Sequence, residues 1–207
     1  NLDSTADGLT IIFGGDVKIK QVWHIAGNGP DIDPADANYN LSTNYVENVT
    51  LLGTLTLGSG VRLGTFYCKK VKIENIIGED SCAAVHIYSH SEDVSIDKVY
   101  IKGTKQNAGY TGGVWIDPYP FELGSYPKNI NIGSIHIARA HYNGVYIENS
   151  KDINIGDIRV DTAGLNGLRI MGTICERVSI GSVSVNKCGA NTTNNTSEYL
   201  HSGICID

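Results

Sequence analysis

One phrase recurs through the second two-thirds of this chain. At its clearest it reads Ile130-Asn131-Ile132-Gly133-Ser134-Ile135-His136-Ile137, then a polar stretch, then Gly144-Val145-Tyr146-Ile147. It returns as Ile153-Asn154-Ile155-Gly156-Asp157-Ile158-Arg159-Val160 followed by Gly167-Leu168-Arg169-Ile170. Self-similarity at a short period marks stacked supersecondary units, because one unit cannot bury its apolar face alone.

Each phrase holds three runs with apolar residues at alternate positions, the period of a strand. Most of those residues are Ile and Val, which suit a pleated, half-buried surface. The first two runs are separated by two residues: Glu74-Asn75, Asp97-Lys98, Gly133-Ser134, Gly156-Asp157 and Gly181-Ser182. Gly, Asn and Asp tolerate left-handed backbone angles, so the spacing predicts a sharp corner. Hairpins within a phrase would not explain why successive phrases match in register. Stacking does, with each Ile resting on its equivalent at the ~4.8 Å spacing of neighbouring strands. The third run gives the column Ala84-Val85-His86-Ile87, Gly113-Val114-Trp115-Ile116, Gly144-Val145-Tyr146-Ile147, Gly167-Leu168-Arg169-Ile170 and Gly203-Ile204-Cys205-Ile206. A further copy is expected upstream, at Leu52, Leu55, Leu57 and Gly60-Val61-Arg62-Leu63, and a weaker turn over 8–25. The predicted fold is all-β, a parallel β-helix of six or seven turns; a β-sandwich of short strands is the competing architecture.

A solenoid spreads its core along its axis, so the 207 residues are expected to form one domain, with 1–45 an irregular entry turn and loop and 46–207 the regular turns. The run Gly203-Ile204-Cys205-Ile206-Asp207 stops in mid-pattern without a cap, so the chain is expected to be part of a longer one. No stretch approaches the ~20 apolar residues of a membrane span. A net charge of −6 speaks against nucleic acid, which requires a basic patch; glycans do not. The five cysteines lack CxxC spacing, which argues against zinc, and read as small buried residues, with a Cys175–Cys188 disulfide as the alternative. Asp31, Asp33 and Asp36 bring three carboxylates together in a way that suits calcium, although without EF-hand spacing; a solvated acidic turn is the competing reading.

Insertions interrupt the coil unevenly. They fall at Lys102–Gly112, Asp117–Pro127 and Asn186–Ser202, flanking the third run, while the two-residue corner carries none. In repeat proteins insertions gather on the binding face. The third run is therefore the expected floor of a groove. Its outward column reads Arg62, His86, Trp115, Tyr146, Arg169 and Cys205, and the position closing each strand reads Tyr88, Asp117, Glu148, Met171 and Asp207. The loops beside it supply Tyr110, Tyr119, Phe121 and Tyr126.

Aromatic faces stack on sugar rings, and carboxylates, His and Arg bond their hydroxyls or charged groups. Trp115, Tyr146, Tyr110, Tyr119, Tyr126, His86 and Arg169 are accordingly the expected glycan binders. Asp117 and Glu148 occupy equivalent places on adjacent turns, which could bring their carboxyls within roughly 5–6 Å, near the separation used by retaining glycosidases. One would donate a proton and the other act as nucleophile or base. The competing reading packs the aromatics against each other or against a neighbouring subunit. A lyase using Arg169 as base, with His86 or a metal neutralising a uronate, is a further alternative; no metal cluster on the strip supports it.

Over roughly 46–207 the Ile-Asn-Ile-Gly-Ser/Asp-Ile phrases and the two-residue corner resemble the right-handed β-helix proteins of the pectate-lyase type. That resemblance implies a substrate groove along the Gly-Val-x-Ile column. The segment Asn166-Gly167-Leu168-Arg169-Ile170-Met171 resembles the Arg-Ile-Lys motif of polygalacturonases, with Met171 in place of lysine and no counterpart of their Asn-Thr-Asp, Asp-Asp or Gly-His-Gly motifs. Only Arg169 carries over, as a binder. The regular short turns are more similar to bacteriophage tailspikes and related receptor-binding appendages. This implies a homotrimer, in a virion tail or extracellular, that binds bacterial surface polysaccharide, which such proteins often also cleave. A non-catalytic adhesive appendage and a secreted polysaccharide lyase or hydrolase are the alternatives.

Overall fold

The computed structural model describes residues 2–3, 9–12, 17–19, 23–26, 46–57, 63–66, 68–80, 84–104, 112–118, 125–189 and 203–207. Among them every regular element is a strand: β1 (Leu2–Asp3), β2 (Leu9–Ile12), β3 (Val17–Ile19), β4 (Trp23–Ala26), β5 (Val46–Leu57), β6 (Leu63–Phe66), β7 (Cys68–Gly78), β8 (Val85–Ile87), β9 (Glu92–Ile101), β10 (Val114–Ile116), β11 (Lys128–Ile137), β12 (Val145–Glu148), β13 (Lys151–Ala163), β14 (Leu168–Met171), β15 (Glu176–Cys188) and β16 (Ile204–Ile206). Among the described residues no helix is long and apolar enough to cross a membrane. The short strands form one parallel sheet in the order β1-β4-β6-β8-β10-β12-β14-β16. The long strands form the other, β15-β13-β11-β9-β7-β5-β2, with β3 paired to β5. This is the expected parallel β-solenoid.

Each regular turn contributes one long and one short strand. There are about five such turns, slightly fewer than the six or seven read from the repeats. Upstream of Cys68 the same sheets continue less evenly. β2 and β3 both pair with β5, and the β5 register shifts between Leu51 and Thr54. There Gly53 adopts φ 87° and donates its amide to Glu74 Oε2 at 2.6 Å.

The interior is a set of stacked columns. Ile73, Ile96, Ile132 and Ile155 are in register and at most 2% exposed. So are Ile87, Ile116 and Ile147, all fully buried. Such burial is worth ~1.5–3 kcal/mol per large aliphatic side chain, which is the principal stabilisation of the coil.

Two expectations are corrected. The two-residue corner is not left-handed: Gly133, Gly156 and Gly181 sit inside continuous strands at ordinary negative φ. The bend arises because two successive residues, such as Gly133 and Ser134, both face away from the interior while Ile132 and Ile135 face in, so the inward phase slips by one residue. Glycine is needed there for close approach. A Cβ on Gly156 would lie 2.3 Å from the Gly133 carbonyl oxygen, and one on Gly181 2.5 Å from that of Gly156. The left-handed corner lies instead at the second or third residue of each long strand, where Asn48, Lys70, Asp93, Asn129, Asp152 and Arg177 all have φ of 55–58°.

The second correction concerns the upstream copy of the third run. Leu63-Gly64-Thr65 pairs with Val85-His86-Ile87, so Gly64, not Arg62, stands in the outward column. Arg62 itself lies outside the described residues. Cys175 and Cys188 are both reduced, so the alternative disulfide is not formed.

Candidate functional site

The register of the short-strand sheet aligns His86 with Trp115, Trp115 with Tyr146, Tyr146 with Arg169, and Arg169 with Cys205. Because side chains alternate across a strand, the residue two positions on shares the same face. Tyr88, Asp117, Glu148 and Met171 therefore lie beside this column.

The strip changes character along its length. Trp115 and Tyr146 are half-buried, with ring centroids 5.0 Å apart and planes tilted by 43°. They leave aromatic surface facing out. His86 lies one turn earlier and is fully buried. Its ring stacks on Tyr88 at 3.6 Å and meets Trp115 edge-on at 5.8 Å. Gly64 in the preceding turn pairs with His86. His86 Nε2 donates to Asp117 Oδ1 at 2.9 Å, and Asp117 is itself 4% exposed. His86, expected as a direct binder, is fully buried, and its bond to Asp117 lies beneath the surface of the strip.

Glu148 has a different partner. Tyr146 Oη donates to its Oε2 at 2.5 Å and also meets the Met171 sulfur at 3.1 Å. A phenol so placed ionises well above its ordinary value of 10.0. Burial is the main cause, followed by the bond to Glu148 and the negative charges of Glu148 and Asp117, with Arg169 opposing. The phenol thus responds to both carboxylates and to the guanidinium, so these groups share one neighbourhood. Arg169 donates to Asp207 Oδ2 at 3.2 Å. Its Nε is buried and has no hydrogen-bond partner among the described residues, so it retains donor capacity.

The structure thus gathers His86, Trp115, Asp117, Tyr146, Glu148 and Arg169 on one strip. The two carboxyls sit in unlike surroundings, Asp117 buried and fixed by an imidazole, Glu148 half-buried and bonded to a phenol. Tyr126 lines a separate cleft, with His90 and Glu92. Tyr110, Tyr119 and Phe121 lie outside the described residues, as do Asp31, Asp33 and Asp36, proposed for calcium. Among the described residues no group of three or more His, Cys, Asp or Glu is placed to hold a metal ion. Tyr88 was not expected as part of the site, nor was the bond between His86 and Asp117. The second was readable in principle: once His86 is paired with Trp115, Asp117 is its diagonal neighbour on the same face, within reach of a long side chain.

No protein-family model, curated protein or solved structure matches this chain.

Proposed function

We propose that this chain is a tailspike-like receptor-binding solenoid of the pectate-lyase type, and that it recognises bacterial surface polysaccharide along the outward strip of its short-strand sheet. The observation that carries this reading is the Trp115–Tyr146 pair. Two tilted, half-buried rings on adjacent turns, 5.0 Å apart, offer successive sugar units apolar faces. Glu148, Arg169 and the Tyr146 hydroxyl stand beside them for the sugar hydroxyls. The reading places the chain on a virion tail or outside the cell, as a homotrimer.

Hydrolysis of the bound glycan is the second part of the reading, favoured by two carboxyls on successive turns in unlike environments. Unlike environments are what divide an acid from a base or nucleophile. Glu148 is the more accessible of the two and would face the glycosidic bond; Asp117, held by His86, would be its partner.

The test uses a panel of capsular and O-antigen polysaccharides, with binding measured by calorimetry and cleavage by release of oligosaccharides. Trp115→Ala combined with Tyr146→Ala should weaken binding by ~2–6 kcal/mol, the range for losing two stacking platforms at ~1–3 kcal/mol each by analogy with aromatic–base stacking. Glu148→Gln should retain binding and abolish release. A panel neither bound nor cut by the wild type sinks the glycan reading. Equal cleavage by Glu148→Gln sinks the assignment of the carboxyl pair alone. A stable monomer in light scattering would remove the tailspike analogy.

A further inference from the structure

Beside the strip lies a cleft of ≈ 420 Å³ lined chiefly by His90, Ser91, Glu92, Tyr126, Lys128 and Lys151. Its residues follow directly on the strip, since His90 lies two positions beyond Tyr88, and Tyr126 is the next-to-last residue of the insertion that begins at Asp117. The first residues of the long strands stack here as a ladder: Lys69 against Glu92, Glu92 against Lys128, Lys128 against Lys151, and Lys151 against Glu176.

This order is electrostatically uneven. Like charges directly opposite on neighbouring strands are destabilising, and Lys128 and Lys151 are such a pair. Each ammonium turns away from the other toward a carboxylate on its far side. Lys128 Nζ lies 3.1 Å from Glu92, which Lys69 also approaches at 4.0 Å, and Lys151 Nζ lies 3.2 Å from Glu176. Glu92 is thus shared by two lysines, Lys69 and Lys128, while Lys151 has its partner in Glu176. Lys151 Nζ also stands 5.7 Å from the centroid of the half-buried Tyr126 ring. The Tyr126 ring, Lys128 and Lys151 line a cradle whose ladder sets Lys69, Lys128 and Lys151 against Glu92 and Glu176, a local positive excess on a chain whose net charge is −6.

We propose that this cleft binds an anionic sugar unit of the polysaccharide, its carboxylate between Lys128 and Lys151 and its ring on Tyr126, so that the chain selects acidic over neutral glycans. This rests on the glycan reading and adds the substrate class to it. The carboxylate would relieve the Lys128–Lys151 repulsion by accepting a charge-assisted hydrogen bond from each ammonium.

The experiment uses the intact chain and a panel of acidic and neutral bacterial polysaccharides, each acidic member also after carboxyl reduction. Affinities are measured by calorimetry at low and high salt. The wild type is expected to bind acidic members, to lose about tenfold or more on carboxyl reduction, the worth of a charge-assisted hydrogen bond, and to weaken with salt. Lys128→Gln with Lys151→Gln should show the same loss toward the acidic glycan and none toward its reduced form. Lys128→Arg with Lys151→Arg should restore acidic binding, which a merely structural role for the lysines would not require. Neutral and reduced members bound as tightly as acidic ones would overturn the inference and leave glycan recognition standing. A wild type that binds no member of the panel would overturn both.

Discussion

Tyr146 is the residue on which the candidate site turns, because its ring lies on the outward strip while its hydroxyl ties Glu148 in place. Its proton is held more tightly in the folded chain than in the unfolded one, where the phenol has its ordinary value of 10.0. The folded state therefore binds more protons above that pH. Stability from this group is intact below pH 10.0 and is lost progressively as pH rises toward the folded-state value. Tyr146→Phe should flatten this alkaline loss, as followed by urea midpoints from pH 9 to 11, and the wild-type-minus-variant ultraviolet difference should show no phenolate until the chain unfolds. An alkaline slope that survives in Tyr146→Phe would mean that the phenol is not held as described. Sequence alone placed Tyr146 and Glu148 on one face, since alternation needs nothing more than spacing. It did not show that His86 is buried and bonded to Asp117, because that depends on the cover supplied by neighbouring rings such as Tyr88.

At the level of the strand, the repeats fixed which residues face inward but mislocated the sharp corner. The alternation slips at Gly133-Ser134, and glycine there invited a left-handed reading. The left-handed residues are instead a column one or two residues into each long strand, occupied by Asn, Asp, Lys or Arg. Two of its six members are basic residues with no strong preference for that region, which hid the column from inspection of residue types. The geometry can be isolated at Asn129, which has φ 58° and an amide bonded to the Asp93 carboxylate. Asn129→Ala and Asn129→Gly both remove that bond, but only alanine must place a Cβ in left-handed backbone. We expect Asn129→Ala to be less stable than Asn129→Gly by ~1–2 kcal/mol in urea unfolding. Equal stability of the two would remove backbone conformation as the reason for this corner.

For the molecule as a whole, stability in a solenoid is close to a sum of turn stabilities and nearest-neighbour interfaces. Interior turns have two neighbours and the last described turn has one, since β15 and β16 close the two strand orders. Burial follows this. Ile132 in β11 is 2% exposed, whereas Ile180, in the equivalent column of β15, is only half-buried, and Ile204 and Ile206 in β16 are 48% and 72% exposed. The same isoleucine should therefore contribute unequally according to its turn. Ile132→Ala should cost ~2–5 kcal/mol, the range for an aliphatic core deletion, and Ile180→Ala clearly less, because part of that side chain already meets solvent. Hydrogen exchange should report the same gradient, with amides of Lys128–Ile137 and Lys151–Ala163 slowest and those of Glu176–Cys188 opening first. The outward strip proposed for glycan runs along this gradient: Trp115 and Tyr146 lie on interior turns, and Arg169 pairs directly with the last described short strand. If exchange proved uniform along the coil, the turns would be unfolding as one cooperative unit, and Arg169 would be held as firmly as Trp115. If the gradient holds, ligand bound across Tyr146 and Arg169 should slow exchange in β14 and β16 more than in β10, because protection is gained where local opening is easiest.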